Sequence, residues 1–464
     1  MSSNIFLTKL SEISGDRFDP LMVLYKKTTQ AFKYDTVSFK DLLISNPMYG
    51  ANEAGVERTD ENEPRYIRIT DIDEFGNLKD GLGVTAQVIE DKYFLNENDL
   101  LFARSGATVG KAYIHRKKDY ECFFAGYMIR FIVDNNKINP YYVFLYTQLD
   151  IYKKWVLSIQ RAAGQPNINA EEYKSLPIPI PPKQIQEKIV NKIQNGYKQK
   201  QQKEDEAKKL LDSIDEYLLN ELGLDLPKID ETDIPKRVFL RKWSEISGDR
   251  FDPDYYSPKY FEKNNVLKKT NCRMVTLKDI AVIFQGVGKS ETDNPQYTLL
   301  KVKNILKDST IDFEDIEFVN SVPKNKLLSK GDIISPFIGE AIKQFKFALF
   351  NDEEDKYTVD NNTGVIRINS KKINNCYVSE VLNSGFVRWQ IEQLIGGGGV
   401  PFIGSNGAKL IKIPRPRIKQ QNKITNHIAN IRQQAKSLKQ QAIDEFEKSK
   451  KEVEAMLLGE TDEF

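Results

Sequence analysis

Two patterns of apolar positions alternate along the chain. The first consists of short β-branched and aromatic runs broken by Gly, Asn and Asp. RYIRITDI, GYMIRFIV and TLLKVKN are examples, and their alternation predicts short strands. Helical patches such as PYYVFLYTQLD intervene. Each such region closes on a proline block, LPIPIPP or IPRPR, where helix is excluded and an extended connector is expected. The second pattern begins after each block and has a helical period. Ile424, Ile428, Ile431, Ala435, Leu438, Ala442, Phe446, Val453 and Met456 fall largely at three- and four-residue steps, with Lys, Gln and Glu between them. That spacing is a coiled-coil seam. Ile185, Ile189 and Ile193 start the other helix the same way. It turns polar across KQKQQKEDEAKK and resumes with Ala207, Leu210, Leu211, Ile214, Leu218 and Leu222, and Gly223 is placed as a C-terminal stop. Each helix is expected to run to about forty residues, or roughly 60 Å at 1.5 Å per residue. A lone helix with an apolar stripe needs a partner, and these two are the obvious mates. The polar middle of the first reads as a solvated or loosened section, or as a surface for another protein.

The alternation occurs twice because the chain is duplicated. SEISGDRFDP runs from Ser11 to Pro20 and again from Ser244 to Pro253, an offset of 233 residues. IRITDI from Ile67 aligns with LKVKNI from Leu300, and NDLLFARSGATVGK from Asn98 with GDIISPFIGEAIKQ from Gly331, at the same offset. GQPNINAEEYKSLPIPIPP from Gly164 aligns with GVPFIGSNGAKLIKIPRPR from Gly399 at 235. A single duplication of this size is not a solenoid, whose repeats run to about 20–50 residues. The expected fold is α+β: two similar mixed α/β domains, at 1–180 and 224–415, each followed by a long helix, at 181–223 and 416–464. The helices are expected to pack as an antiparallel coiled coil.

Composition narrows the chemistry. The 464 residues are 40% hydrophobic and 29% charged, which fits a soluble globular chain of two to four domains. The net charge of +2 neither announces nor excludes a nucleic-acid partner, since local patches matter more than the total. No apolar run is long enough for a membrane span, and MSSNIFLTKL lacks the features of a signal peptide, so a cytoplasmic location is expected. Cys122, Cys272 and Cys376 are scattered singly, which suits a reducing compartment and rules out a CxxC-type zinc site. His115 and His427 have no neighbouring ligand cluster, so histidine catalysis or metal binding is not expected.

Several motifs fall away on inspection. GATVGK, Gly106 to Lys111, lacks the spacing of a phosphate-binding loop, and Ala112 stands where Ser or Thr is needed. NPMY and NPYY approach the Asn-Pro-Pro-aromatic motif of amino-methyltransferases but miss the second proline, and read as turns before a helix or strand. The pairs Asp312/Glu314 and Asp71/Asp73 have no Glu-x-Lys partner for a nuclease and read as solvated turns.

The duplication separates frame from tips. Asp99 matches Asp332, Leu101 Ile334, Gly106 Gly339 and Arg130 Arg367, whereas ARSGATVGK differs from SPFIGEAIKQ and Arg68/Thr70 from Lys301/Lys303. The tip residues Arg104, Ser105, Thr108 and Lys111, and Lys343, Gln344 and Lys346, are of the types that contact phosphate and read base edges. A shared scaffold with divergent tips suits two domains doing one kind of job on different targets. Drift of surface loops after duplication explains the same pattern equally well.

GQPNINAEEYKSLPIPIPPKQIQEKIV, Gly164 to Val190, resembles the junction in specificity subunits of type I restriction-modification systems, where a Gly-Gln-x-Asn-Ile turn leads through a Pro-rich connector into a long helix. GDRFDP resembles the Arg-hydrophobic-Asp-Pro segment that opens such recognition units. The resemblance covers nearly the whole chain through its order of recognition domain, helix, recognition domain, helix. The second copy departs from it: Val400, Phe402 and Gly404 replace Gln165, Asn167 and Asn169.

The resemblance implies a DNA-recognition subunit with no catalytic centre or cofactor of its own. Each target-recognition domain would read one half of a bipartite, asymmetric site in double-stranded DNA, with the helices as a ruler between the halves. Two modification subunits that bind S-adenosylmethionine would dock on the helices, and a restriction translocase using Mg and ATP can join them. Arg161, Gln165 and Asn167 become further DNA-contact candidates. The identical opening segment is expected to be a structural joint, with Arg17, Asp19 and Pro20 in one copy and Arg250, Asp252 and Pro253 in the other. The rival readings are a related type II or other phage-defence specificity subunit, a self-contained methyltransferase or nuclease, and a coiled-coil scaffold without a DNA role.

Overall fold

The structure, a computed structural model, describes residues 20–28, 31–160, 165–226, 240, 242–246, 254–257, 260, 272–288, 296–352, 356–396 and 399–461. The chain forms two compact units, Met1–Glu204 with Lys439–Phe464, and Asp205–Leu438.

In the first unit the short apolar runs become β1 (Thr36–Ser38), β2 (Met48–Tyr49), β3 (Gly55–Glu57), β4 (Arg65–Ile67), β5 (Val84–Ala86), β6 (Leu100–Ala103), β7 (Ala112–Ile114), β8 (Cys122–Phe124) and β9 (Met128–Phe131). Helices α1 (Pro140–Tyr146), α2 (Asp150–Ile159) and α3 (Ala170–Lys174), then β10 (Pro177–Pro179), lead into the long α4 (Lys183–Leu222). NPYY starts α1 in the way its residues allow: Asn139 accepts from the Tyr141 amide at 2.9 Å and Pro140 takes the first turn. NPMY enters β2 instead.

A four-stranded antiparallel sheet, order β2-β9-β6-β7, forms the centre, and β4 pairs in parallel with β8 beside it. The proline block is extended, as expected, and pairs with β1, Val37 opposite Ile178. Prolines suit this two-stranded ribbon because they cannot donate to a further ladder. Buried Tyr142 and Tyr146 donate their hydroxyls to the Pro179 and Pro177 carbonyls at 2.9 and 3.1 Å.

The second unit repeats this plan. Its strands are β11 (Met274–Thr276), β12 (Ala281–Gln285), β13 (Tyr297–Leu300), β14 (Glu317–Val319), β15 (Ile333–Pro336), β16 (Ala348–Leu349), β17 (Tyr357–Val359), β18 (Thr363–Ile368) and β19 (Lys412–Pro414). Its helices are α5 (Asn375–Leu382), α6 (Gly385–Leu394), α7 (Gly404–Ala408) and α8 (Ile418–Leu458). The central sheet is β12-β18-β15-β16, β13 pairs in parallel with β17, and β11 pairs with β19. Tyr377 donates to the Pro414 carbonyl at 2.8 Å, the counterpart of Tyr142 and Pro179. Gly50 and Gly286 mark the same close approach in each sheet. A Cβ on Gly50 would lie 2.4 Å from the Ala125 oxygen, and one on Gly286 1.8 Å from the Val359 oxygen.

Both long helices form over the expected stretches. Gly223 and Gly459 end them in the left-handed conformation, φ +61° and +73°. In the first unit, Ile189 and Ile193 of α4 pack with Phe446, Val453 and Met456 of α8. Lys192–Glu452 and Lys203–Glu445 pair across the seam at 2.5 and 3.0 Å, so the helices run antiparallel. In the second unit, Leu218 and Leu222 pack with Ile424 and Ile428. There Glu221 pairs with Lys423 at 2.8 Å, and the Tyr217 ring meets His427 at 4.1 Å.

The joint residues Arg17, Asp19, Arg250, Asp252 and Pro253 lie outside the described residues, as does Arg161. Pro20 begins the helix Pro20–Thr28.

Candidate nucleic-acid interface

Three chain segments meet where β6 ends. Arg104 donates its amide to the Tyr127 oxygen at 3.0 Å and accepts from the Ile168 amide at 2.8 Å. The Gly106 amide reaches the Pro166 oxygen at 3.0 Å, and Ser105 bridges Asn167. The sequence candidates Arg104, Ser105, Gln165 and Asn167 are thus brought into one corner, and Thr108 stands exposed on the turn that follows Gly106. Asn169 fixes the last segment by capping α3 in a reciprocal box with Glu172, each bond 2.9 Å. Ile168, fully buried, anchors it from below.

Sequence reasoning missed two aromatic members of this corner. The Arg104 guanidinium lies 4.9 Å from the Tyr49 ring centre, and Tyr127 is 69% exposed. The signal was present: both tyrosines sit where β2 and β9 start or end, beside a glycine. Two polar atoms there lack hydrogen-bond partners among the described residues, Arg104 Nε and Asn167 Oδ1. Such atoms are rare in folded chains.

The second unit builds the same corner from the same backbone bonds. Phe337 donates to the Asn362 oxygen at 2.8 Å and accepts from the Ile403 amide at 3.0 Å. Gly339 donates to the Pro401 oxygen at 2.8 Å, and Ile338 bridges Phe402. The side chains at the positions of Arg104, Ser105, Gln165 and Asn167, however, are apolar, while the counterpart of Tyr127 is the exposed Asn362. Phe337 is buried, while Val400 and Phe402 are 59% and 49% exposed.

Lys111 and Lys346, each just ahead of the strand that follows the tip and 235 residues apart, make the same contact. The Lys111 ammonium donates to the Ile72 oxygen at 2.6 Å, and that of Lys346 donates to the Ile305 oxygen. Burial lowers the pKa of both. Each lysine ties the sheet to the turn that carries Arg68/Thr70 or Lys301/Lys303. GATVGK is accordingly the connector of β6 and β7, with its lysine held inside the fold.

The remaining candidates stand on separate turns. Arg68 grips Asp71 through two bonds, at 3.0 and 2.9 Å, and that hydrogen bonding raises its pKa. Thr70 is exposed. Lys301 pairs with Glu317 at 2.5 Å and Lys303 with Asp315 at 2.6 Å. Lys343 pairs with Glu340 at 2.8 Å, and Gln344 beside it is exposed. Among the described residues, no group of three or more His, Cys, Asp or Glu is placed to hold a metal ion, and no helix is long and apolar enough to cross a membrane.

Residues 43–210 match the type I restriction modification DNA specificity domain. The type I restriction enzyme MjaVIII specificity subunit of Methanocaldococcus jannaschii is 22% identical over 393 residues, covering 82% of this chain and 83% of that protein. A chain solved in work on complex assembly and conformational transition of the type I R-M system superposes with a TM-score of 0.55 at 12% identity, covering 92% of this chain and 97% of that one. That likeness speaks to fold. Over these stretches the chain is similar to the specificity (S) subunits of type I restriction-modification systems.

Proposed function

We propose that each unit reads one half of a bipartite, asymmetric site in double-stranded DNA through its corner. The observation that carries this is a single backbone corner built twice and tipped with Arg104, Ser105, Gln165 and Asn167 once and with Ile338, Val400 and Phe402 the other time. Two readers of different half-sites need this combination. Arg and Gln bind base edges in pairs of hydrogen bonds, each good pair contributing about 1–3 kcal/mol of discrimination. Arg68, Thr70, Thr108, Arg161, Lys301, Lys303, Lys343 and Gln344 would supply phosphate contacts. Lys111 and Lys346 would act through the turns they tie. The chain itself would carry out no chemical step. Two modification subunits would bring S-adenosylmethionine, and a restriction translocase Mg and ATP, in the cytoplasm.

Filter binding of the chain with its modification subunits tests the electrostatic part. About six phosphate contacts predict that affinity falls roughly a thousand-fold between 50 and 200 mM salt. A scaffold without a DNA role would retain no DNA at either salt.

A further inference from the structure

The apolar corner of the second unit raises a question that its polar counterpart does not. Hydrogen bonds to base edges need donors and acceptors, and the positions that supply them in the first unit hold none in the second. Arg104 is replaced by Phe337, Ser105 by Ile338, Gln165 by Val400 and Asn167 by Phe402. Yet the patch is not withdrawn into the fold. Phe337 fills the space above Gly364, where a Cβ would lie 2.1 Å from its ring, while Val400 and Phe402 remain 59% and 49% exposed. Phe402 is held firmly for an exposed residue. Its amide donates to Gly396 and its carbonyl accepts from Gly396, at 3.0 and 2.9 Å, and its other edge bridges Ile338. Gly339 and Gly404, at φ +91° and +59°, turn the chain on either side.

The surroundings are polar and hydrogen-bonding rather than apolar, with Lys343 paired to Glu340 at 2.8 Å and the exposed Asn362 accepting from the Phe337 amide. Lys343 is exposed on the turn that follows Gly339, and Lys409 follows α7, its carbonyl bonded to the Lys278 amide at 3.2 Å. Gln285, the counterpart of Tyr49, donates to the Asn361 oxygen at 2.9 Å at the neighbouring strand end. A firmly held apolar tip in a polar surround fits a ligand that exposes small apolar groups among hydrogen-bonding ones. Duplex DNA offers one such group in its major groove, the C5 methyl of thymine.

On the reading that the corners face DNA, we propose that the second unit recognises its half-site by apolar contact of Val400, Phe402 and Ile338 with thymine methyl groups, whereas the first unit uses hydrogen bonds. These three are specificity-determining residues of the second half-site. The assignment makes that half-site rich in thymine.

Two measurements on the complex of the full chain with its modification subunits test this. The first is methylome sequencing, which gives the two half-sites. Exchange of the pair by Val400→Gln with Phe402→Asn should change or relax one half-site and leave the other intact, which also shows that the variant is folded. If both half-sites persist unchanged, the proposal is overturned. The second uses the unmodified complex and needs no variant. Duplexes carrying deoxyuridine for thymine in that half-site should bind roughly four-fold more weakly per methyl removed, while the same exchange in the other half-site has little effect. Equal binding, or a half-site containing no thymine on either strand, overturns it. Absence of any bipartite motif would instead overturn the underlying DNA reading, so the two failures are distinct.

Discussion

Asp99 and Asp332 show how a duplicated residue keeps its job while its partner moves. Each carboxylate is 2% exposed or less and accepts from the amide three residues before it. Arg367 donates to Asp332 through two bonds, at 2.9 and 2.6 Å, and also to the Leu327 oxygen at 2.6 Å. Arg130 donates to the Phe94 oxygen, the counterpart of Leu327, at 2.7 Å and stands 3.6 Å from Asp99. The strand registers show that these arginines are not at matching positions. Leu101 faces Arg130, whereas its counterpart Ile334 faces Val365, two residues before Arg367. A shift of two keeps the side chain on the same face of the strand, so the sequence match of Arg130 with Arg367 captured a shared role. Burying a carboxylate without its partner is costly. Arg367→Met is therefore expected to destabilise the chain by about 3 kcal/mol in urea unfolding, and adding Asp332→Asn should recover part of that loss. An unchanged midpoint would count against the pair as a support. The lysines show the limit of sequence reading at this scale. Lys111 and Lys346 look like basic tips in glycine-rich turns, and nothing local reveals that both ammonium groups point inward to a carbonyl more than thirty residues away.

At the scale of elements, period and punctuation were enough for the long helices. The apolar steps at Ile424, Ile428, Ile431, Ala435, Ala442, Phe446, Val453 and Met456 are all buried, and both terminal glycines end their helices. The polar middle of α4 was harder to read. It stays helical, and Lys200 within it is only 7% exposed. Its ammonium pairs with Glu204 at 2.7 Å and lies 4.1 Å from the centre of the Phe75 ring. Phe75 in turn packs against Tyr197 and Phe446 at 5.5 Å each. A lysine can bury its stem and keep its charge paired, so a polar run need not be a solvated one. In a seam of heptad period, removing a whole heptad from both helices keeps the same kinds of position facing each other. Removing one heptad within Gln199–Lys208, with the seven residues facing it around Ala442, shortens the pair by about 10 Å. That length corresponds to about three base pairs. Methylation-site sequencing is expected to show a spacer shortened by about that number with both half-sites preserved, and an unaltered spacer would refute the ruler.

For the whole molecule, the duplication was the most legible feature. Offsets of 233 and 235 residues place the sheet order β2-β9-β6-β7 onto β12-β18-β15-β16, the Tyr142 to Pro179 bond onto Tyr377 to Pro414, and one corner onto the other. What no alignment of the two halves could give is which tips meet, because Tyr49, Arg104, Tyr127 and Asn167 come from four segments joined only by the fold. If this duplicated frame reads two different half-sites and partner subunits act on what it reads, the methylation pattern depends on this chain. Methylome sequencing of a host expressing the chain with its modification subunit tests it most directly. Methylation is expected at one bipartite, asymmetric motif, two specified halves separated by unspecified bases, and only when this chain is present. Methylation that persists without the chain, or that follows a single continuous motif, would contradict it.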